Sequence, residues 1–316
     1  MKRLLARLRN DDGQVLILVA VGMVALVGMA AFVVDVGGWF RQQRATQSIV
    51  DAAALAGAQA LPADPASALT IAKDYGAKNG VAGELADANI SITSTYGPND
   101  TITVTDSKPA SFFFGGIFNA LGFNISRTAT AMVGVPQAAQ YVAPIGVNIM
   151  HPDLHGTPGC PCYGPNYQTT LPLGKTGAPG AFDLLNLDVN QQNGTVGAST
   201  MASWIQNGYN KYLPLGGYFS DPGAKYNSSN VGVALQSRYN TELLFPVYDT
   251  LTGTGSTASY HVIAWVGFYL LPGSTFNGTS GSLTGYFTRV IWAGITPPGG
   301  NPSGIDLGAH SVALVN

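Results

Sequence analysis

The sequence predicts an α+β protein: an N-terminal transmembrane helix running on as a long exposed helix, a small α+β unit, and a β-rich distal domain. Three observations predict this. From Gln14 to Val34 lie 21 residues without a charge, enough for a helix to cross a hydrocarbon core of about 30 Å. Behind that run, QSIVDAAALAGAQAL keeps a strong helix preference as far as Leu61. From about Pro136, Gly, Pro, Asn, Thr and Tyr take over and turn signals recur roughly every ten residues, the pattern of a β-rich domain. The boundaries read from these shifts are 1–13, 14–34, 35–61, 62–135 and 136–316.

The tail MKRLLARLRN carries Lys2, Arg3, Arg7 and Arg9, whereas the far side of the apolar run opens with Asp35 and then only Arg41 and Arg44 before a long non-basic stretch. The positive-inside rule places residues 1–13 in the cytoplasm and the chain beyond about Asp35 outside the cell membrane, as a single-pass protein. A cleaved secretory signal has a shorter apolar run, about 7–15 residues, and ends at small residues. Here Asp35-Val36-Gly37-Gly38-Trp39 follows instead, so a retained anchor in the lipid bilayer is predicted. Trp39, Phe40 and Arg41 sit where interfacial anchors belong. Ala53, Ala54, Gly57 and Ala58 form a helix interface, small enough to let another helix approach closely. Pro62 and Pro65 end the helix, which counted from Gln14 runs about 45 residues, roughly 70 Å.

In residues 62–135, ASALTIAKDYGAKNG has helical spacing over 66–79 and stops at Asn79-Gly80. NISITSTY and DTITVTD alternate polar with β-branched residues around Gly97-Pro98-Asn99, a hairpin signal. ASFFFGGIFNALGF is too aromatic for a surface helix and is expected to pack on the sheet. Farther along, strands are expected at 141–149, 242–250, 261–271 and 283–295. Short helices are expected around Thr200–Asn207 and Val231–Asn240.

Gly13-Gln14, the apolar run, Val34-Asp35-Val36-Gly37, the Arg41-Gln42-Gln43-Arg44 spacing and Asp51-Ala-Ala-Ala-Leu-Ala-Gly-Ala occur together and in order. This segment resembles the N-terminal domain of TadE/TadG-like Flp (Tad) pilus-assembly proteins, with a looser likeness continuing to about Gly134. The resemblance implies a pilin-like α+β unit. It implies a non-enzymatic structural role as an anchor or minor pilin-like subunit. It also implies other Tad/Flp pilus-assembly proteins as partners, and a homo-oligomer formed through the N-terminal helix. Prepilin-type processing would cut between Gly13 and Gln14. Such prepilins carry Glu five residues into the mature chain, where this sequence has Leu18, and that departure favours a chain that stays anchored. The Asp-x-Ser-x-Ser run of family members with a metal-dependent adhesion domain is absent from the sequence.

The chemistry is sparse. Charged residues make up 10% of the chain and the formal net charge is −2, against about 25% charged in ordinary domains, so no basic field recruits nucleic acid. No catalytic residue, cofactor site or metal site is assigned. Leu173-Gly174-Lys175-Thr176 ends like a phosphate loop, but Thr169 stands where its first Gly should be. Neither H-E-x-x-H nor G-x-S-x-G occurs in the sequence. Asp188, Asn190 and Asn193 precede Gly194 as oxygen ligands do in calcium loops, without the loop spacing or the distal Glu. Cys160 and Cys162 admit three readings: a local disulfide closing a tiny, strained and reducible loop, a zinc site with His151 and His155, or two free thiols. The disulfide ranks first, because zinc cysteines are normally at least two residues apart.

The competing function class is an extracytoplasmic glycan- or ligand-binding protein, or a surface-layer protein, carried on the same anchor. Its candidate aromatic faces are Trp204, Tyr209, Tyr212, Tyr218, Trp265 and Trp292, with the core as the expected place for Trp265 and Trp292.

Overall fold

In the computed structural model the apolar and Ala-rich runs form one uninterrupted helix, α1 (Gln14–Ala58). The structure describes residues 14–80, 85–86, 89–110, 112–118, 122–173, 183–188, 195–221, 225, 228–277, 280–296 and 304–315. The two ends of α1 live in different surroundings. From Val15 to Val34 its large apolar side chains are 51–75% exposed, and a Cβ added at Gly22 or Gly28 would meet nothing within 4 Å. Among the described residues, this helix alone is long and apolar enough to cross a membrane. From Thr46 onward, Thr46, Val50, Ala53, Ala54 and Ala58 are fully buried, and their spacing is that of one helix face.

That face is covered by the chain's own next elements. Helix α2 (Pro65–Asn79) starts at Asp64, whose carboxylate accepts from the Ser67 amide at 2.9 Å, with Pro65 in the first turn. It buries Ala68, Ala72 and Gly76. Strands β1 (Ile90–Thr93), β2 (Thr101–Ala110) and β3 (Phe123–Gly134) follow as an antiparallel meander. Ile102, Val104, Ala129, Ala131 and Val133 on the sheet meet Val50, Ala53, Ala54 and Ala58 on α1. The β1–β2 turn is held by Asp100, which accepts from the amides of Thr95, Tyr96 and Gly97 at 2.7–2.8 Å.

The distal elements are β4 (Ala138–Ala139), β5 (Val147–Asn148), β6 (Thr169–Leu173), α3 (Ala198–Asn207), β7 (Leu213–Pro214), β8 (Gly216–Phe219) and α4 (Ser229–Gln236). They continue with β9 (Thr241–Thr252), β10 (Ser259–Leu270), β11 (Thr275–Asn277), β12 (Ser280–Thr288), β13 (Val290–Ile291), β14 (Gly294–Ile295) and β15 (Ala309–Val315). The main sheet has the order β11-β12-β10-β9-β5, with β6 on β12 and β8 on β10. Phe245, Val266 and Phe268 lie in one core with Met201, Ile205, Val231 and Leu235 of α3 and α4. Leu244, Tyr248, Tyr260 and Trp265 lie in a second core. Covering on both faces explains why ELLFPVYDT and HVIAWVGFYLL read as continuous apolar runs rather than alternating ones.

Three expectations are corrected. The run 283–295 is not one strand: it is divided among β12, β13 and β14, which belong to three different sheets. The chain is pinned there by Gly294, where a Cβ would come within 2.7 Å of Pro136. Of 141–149, only Val147–Asn148 forms a strand, while Val142 and Ile145 make isolated bridges. Third, the chain does not simply pass from proximal unit to distal domain. Its last strand, β15, returns to pair with β3 from Ser311↔Gly134 to Val315↔Thr130, and β13 runs parallel beside it. The distal unit is thus inserted between two neighbouring strands of the proximal sheet.

At Gly57 a Cβ would lie 2.7 Å from Ile102 Cδ1, 2.9 Å from the Ala68 carbonyl oxygen and 3.0 Å from Ala72. Gly57→Val is therefore expected to destabilise the fold by about 1–3 kcal/mol through overpacking, whereas Gly22→Ala leaves it unchanged. Thermal denaturation of the detergent-solubilised chain measures both.

Candidate functional site

Where α1 leaves its fully exposed stretch, the first charge is Asp35, only 8% exposed. A carboxylate there must be compensated by hydrogen-bond donors. The β2–β3 hairpin supplies them: Asp35 accepts from the backbone N–H groups of Phe113 (2.8 Å), Phe114 (3.0 Å) and Gly115 (2.8 Å). The tip then closes with a 3-10 turn, Gly115–Phe118. Burial pushes the Asp35 carboxyl upward, but the three amides outweigh it and hold its pKa below the ordinary value.

One turn later Trp39 packs edge-on against Phe112 (4.8 Å between ring centroids) and Phe123 (5.1 Å), with Phe114 edge-on to Phe113 at 4.9 Å. Phe112 thus packs on both α1, through Trp39, and strand β3, through Phe123 at 6.2 Å; residues 111 and 119–121 of the expected run lie outside the described residues. Beside this contact a groove is lined by Val36, Trp39, Phe40, Phe123 and Ile125, with Gln43 and Arg127 at its polar side. Phe113 remains 77% exposed and Phe40 59%.

The other site residues fall as follows. Ala53, Ala54 and Ala58 are fully buried and Gly57 abuts Ala68, Ala72 and Ile102. The helix they admit is the chain's own α2, so they present no surface to a second chain. Gly13 lies outside the described residues, as do Gly174, Lys175, Thr176, Asn190, Asn193 and Gly194, and Gln14 begins α1.

Cys160 and Cys162 are joined in a disulfide, S–S 1.97 Å, which leaves neither thiolate free for zinc. His155 is exposed. His151 caps a one-turn π-helix, Pro152–Gly156, its Nδ1 accepting from the Asp153 amide at 3.2 Å. Among the described residues no group of three or more His, Cys, Asp or Glu is placed to hold a metal.

The six aromatics proposed as a glycan surface do not share one. Tyr209, Tyr218 and Trp265 are buried, Trp204 is half-buried and edge-on to Tyr209 at 5.2 Å, Trp292 is half-buried and donates to the Gln140 carbonyl at 2.8 Å, and Tyr212 is exposed. Sequence reasoning missed a cleft of about 600 Å³ at the junction of the two parts, lined by residues 59–63, Pro98, Tyr163, Arg289, Asp306 and His310. Its polar groups engage one another: Arg289 lies 5.0 Å over the Tyr163 ring, and His310 Nε2 is 3.0 Å from Asp306. Burial raises the Asp306 carboxyl, and the bond and charge of His310, with the Gly308 amide and the Arg289 charge, together more than reverse that, leaving it lowered. The Asp35 contact was missed too, although a lone acid closing an uncharged run was itself a signal that a partner is required.

Two expectations follow. Asp35→Ala should speed amide hydrogen exchange in residues 112–118 while leaving 101–106 unchanged, as read by exchange mass spectrometry. Because the folded pKa of Asp35 is lowered, the tether should persist above about pH 4 and loosen only as pH falls below that. His151 is lowered from 6.5 by burial, with Asp153 opposing. The unfolded chain therefore takes up the proton first. Its contribution is complete above pH 6.5 and declines as pH falls towards the folded value. Melting temperatures taken in steps from pH 8 to pH 5 should drop below about 6.5, and His151→Phe should flatten that limb.

In comparisons with known proteins, residues 13–60 match the family described as Putative Flp pilus-assembly TadE/G-like. No significant match was found among curated proteins or solved structures.

Proposed function

We propose that this chain, whose first described helix is a TadE/G-like segment, is a membrane-anchored structural component of a Flp (Tad)-type pilus-assembly or secretion apparatus. The observation that carries this reading is the divided use of α1. Its matched segment, residues 13–60, supplies an apolar stretch that nothing among the described residues covers, and then the central core helix of the proximal unit. Such a helix fixes a folded unit rigidly to a bilayer. The basic tail lies in the cytoplasm and residues beyond about Asp35 lie outside.

The role is mechanical rather than catalytic, in keeping with the description of the matched family, and it needs no cofactor. Because the small-residue face of 46–58 is committed to the chain's own core, lateral partners meet the helix chiefly along residues 15–34. These partners are other pilus-assembly proteins and a second copy of the chain. The chain keeps residues 1–13 and serves as a fixed anchor beside the assembly machinery, rather than as a cleaved subunit of the filament.

Purification of the full chain from its own membranes tests this, with intact-mass analysis, N-terminal sequencing and identification of co-purifying proteins. The expected result is an intact N-terminus and recovery of pilus-assembly proteins. A mature start at Gln14, with the chain in the sheared filament fraction, would move it into the pilus. A start beyond residue 34, or the absence of any pilus component, would overturn the reading.

A further inference from the structure

The β2–β3 hairpin changes character along its length. Nearer the β1 turn its partly exposed side chains are polar, paired across the strands as Thr103···Thr130 at 3.1 Å and Thr105···Thr128 at 2.9 Å. At its other end the tip turns to Phe112, Phe113 and Phe114, followed by Phe123. Phe113 is 77% exposed, more than any other large apolar residue among those described. An isolated exposed Phe needs no explanation, but this one is placed. The Phe113 amide is bonded to Asp35 at 2.8 Å, one residue past the last side chain of the uncharged run. The tip is thereby fastened at the level where that run ends, continuous with its exposed apolar surface. Trp39 and Phe40 stand about one helical turn farther on, and Arg41 and Arg44, both exposed, lie just beyond. An aromatic band followed by cations is the order of an interfacial layer, with rings among the headgroups and guanidinium groups at the phosphates.

We propose that the Phe112–Phe114 tip is a second membrane contact, which inserts Phe113 into the outer interfacial layer of the bilayer. The inference rests on the membrane-anchored reading of α1 and adds to it. The proximal unit stands on the bilayer at two points, the helix and the hairpin tip, and Asp35 ties the two together. The insertion is shallow, as for an interfacial element buried by about 5–10 Å. It fixes the tilt and rotation of the folded unit over the membrane.

Single added tryptophans test it in the full chain, reconstituted in nanodiscs of phosphatidylcholine and phosphatidylglycerol with or without bromine on the acyl chains near the headgroup. Emission is taken as the difference from the unsubstituted chain, and each variant is first matched to it in melting temperature. Phe32→Trp reports the span, Phe113→Trp the tip, and Tyr96→Trp, in the turn at the opposite end of β2, the water-facing side. Phe113→Trp is expected to lose on the order of half of its added emission in brominated discs, as an interfacially inserted ring would, with Tyr96→Trp unaffected. Quenching of Phe32→Trp without quenching of Phe113→Trp would overturn the second contact and leave the anchor standing, with the tip then facing water or a protein. Equal quenching of Tyr96→Trp and Phe113→Trp would also overturn it. If Phe32→Trp itself is unquenched, the span fails and the tip contact fails with it.

Discussion

Everything in the proximal unit depends on how closely α1 can lie against its own sheet and α2. Ala53, Ala54, Gly57 and Ala58 put almost no side chain between helix and strand, and Gly57 has no room even for a methyl group. Close-packed interiors tolerate little added volume, so this narrow stripe sets the separation of the layers. It also fixes the direction in which the helix departs. Since α1 continues without a break into the apolar run, the packing that orders the folded unit also orients the span relative to it. The Asp35 clamp adds a second constraint near the point of departure, joining residues 78–80 positions apart in the chain.

The parts legible in the sequence are those whose cause is local. The helix that runs from Gln14 to Ala58, the helix expected over 66–79, the hairpin turn around Asn99 and the helix expected around Thr200–Asn207 each carry their own signals, whether apolar run, helical spacing or turn chemistry. The parts that were not legible have causes far away in the chain. Strand β15 is seven residues, AHSVALV, with no clean alternation, and its existence depends on an edge that β3 leaves open. The run 283–295 carries no proline, asparagine or aspartate turn signal, and only the polar pair Thr288-Arg289 sits where it moves from β12 to β13.

Among candidate site residues the same division holds. Spacing identified Ala53, Ala54, Gly57 and Ala58 as a surface for close approach, but composition does not say whether the approaching helix belongs to the same chain. The pairing of Asp35 with the amides of 113–115 lies beyond any periodicity argument. The cleft with Tyr163, Arg289, Asp306 and His310 draws on segments from both ends of the distal unit and from the α1–α2 turn. By contrast, the two-residue separation of Cys160 and Cys162 made their pairing a local question.

The insertion of the distal unit between β3 and β15 decides how the protein bears load. The chain leaves the proximal sheet at Gly134 and re-enters opposite it, beside Ser311. A pull on the distal unit therefore draws two adjacent strands in the same direction, and their mutual hydrogen bonds are not peeled apart. The resisting ladder is the one between β3 and β2, ten residue pairs from Thr101↔Met132 to Ala110↔Phe123. That ladder begins with Thr101↔Met132, at the end of β3 where the distal unit attaches, so a load on β3 enters it there. With α1 packed across the same sheet, a pull on the distal unit reaches α1 through paired strands rather than through a single connecting segment.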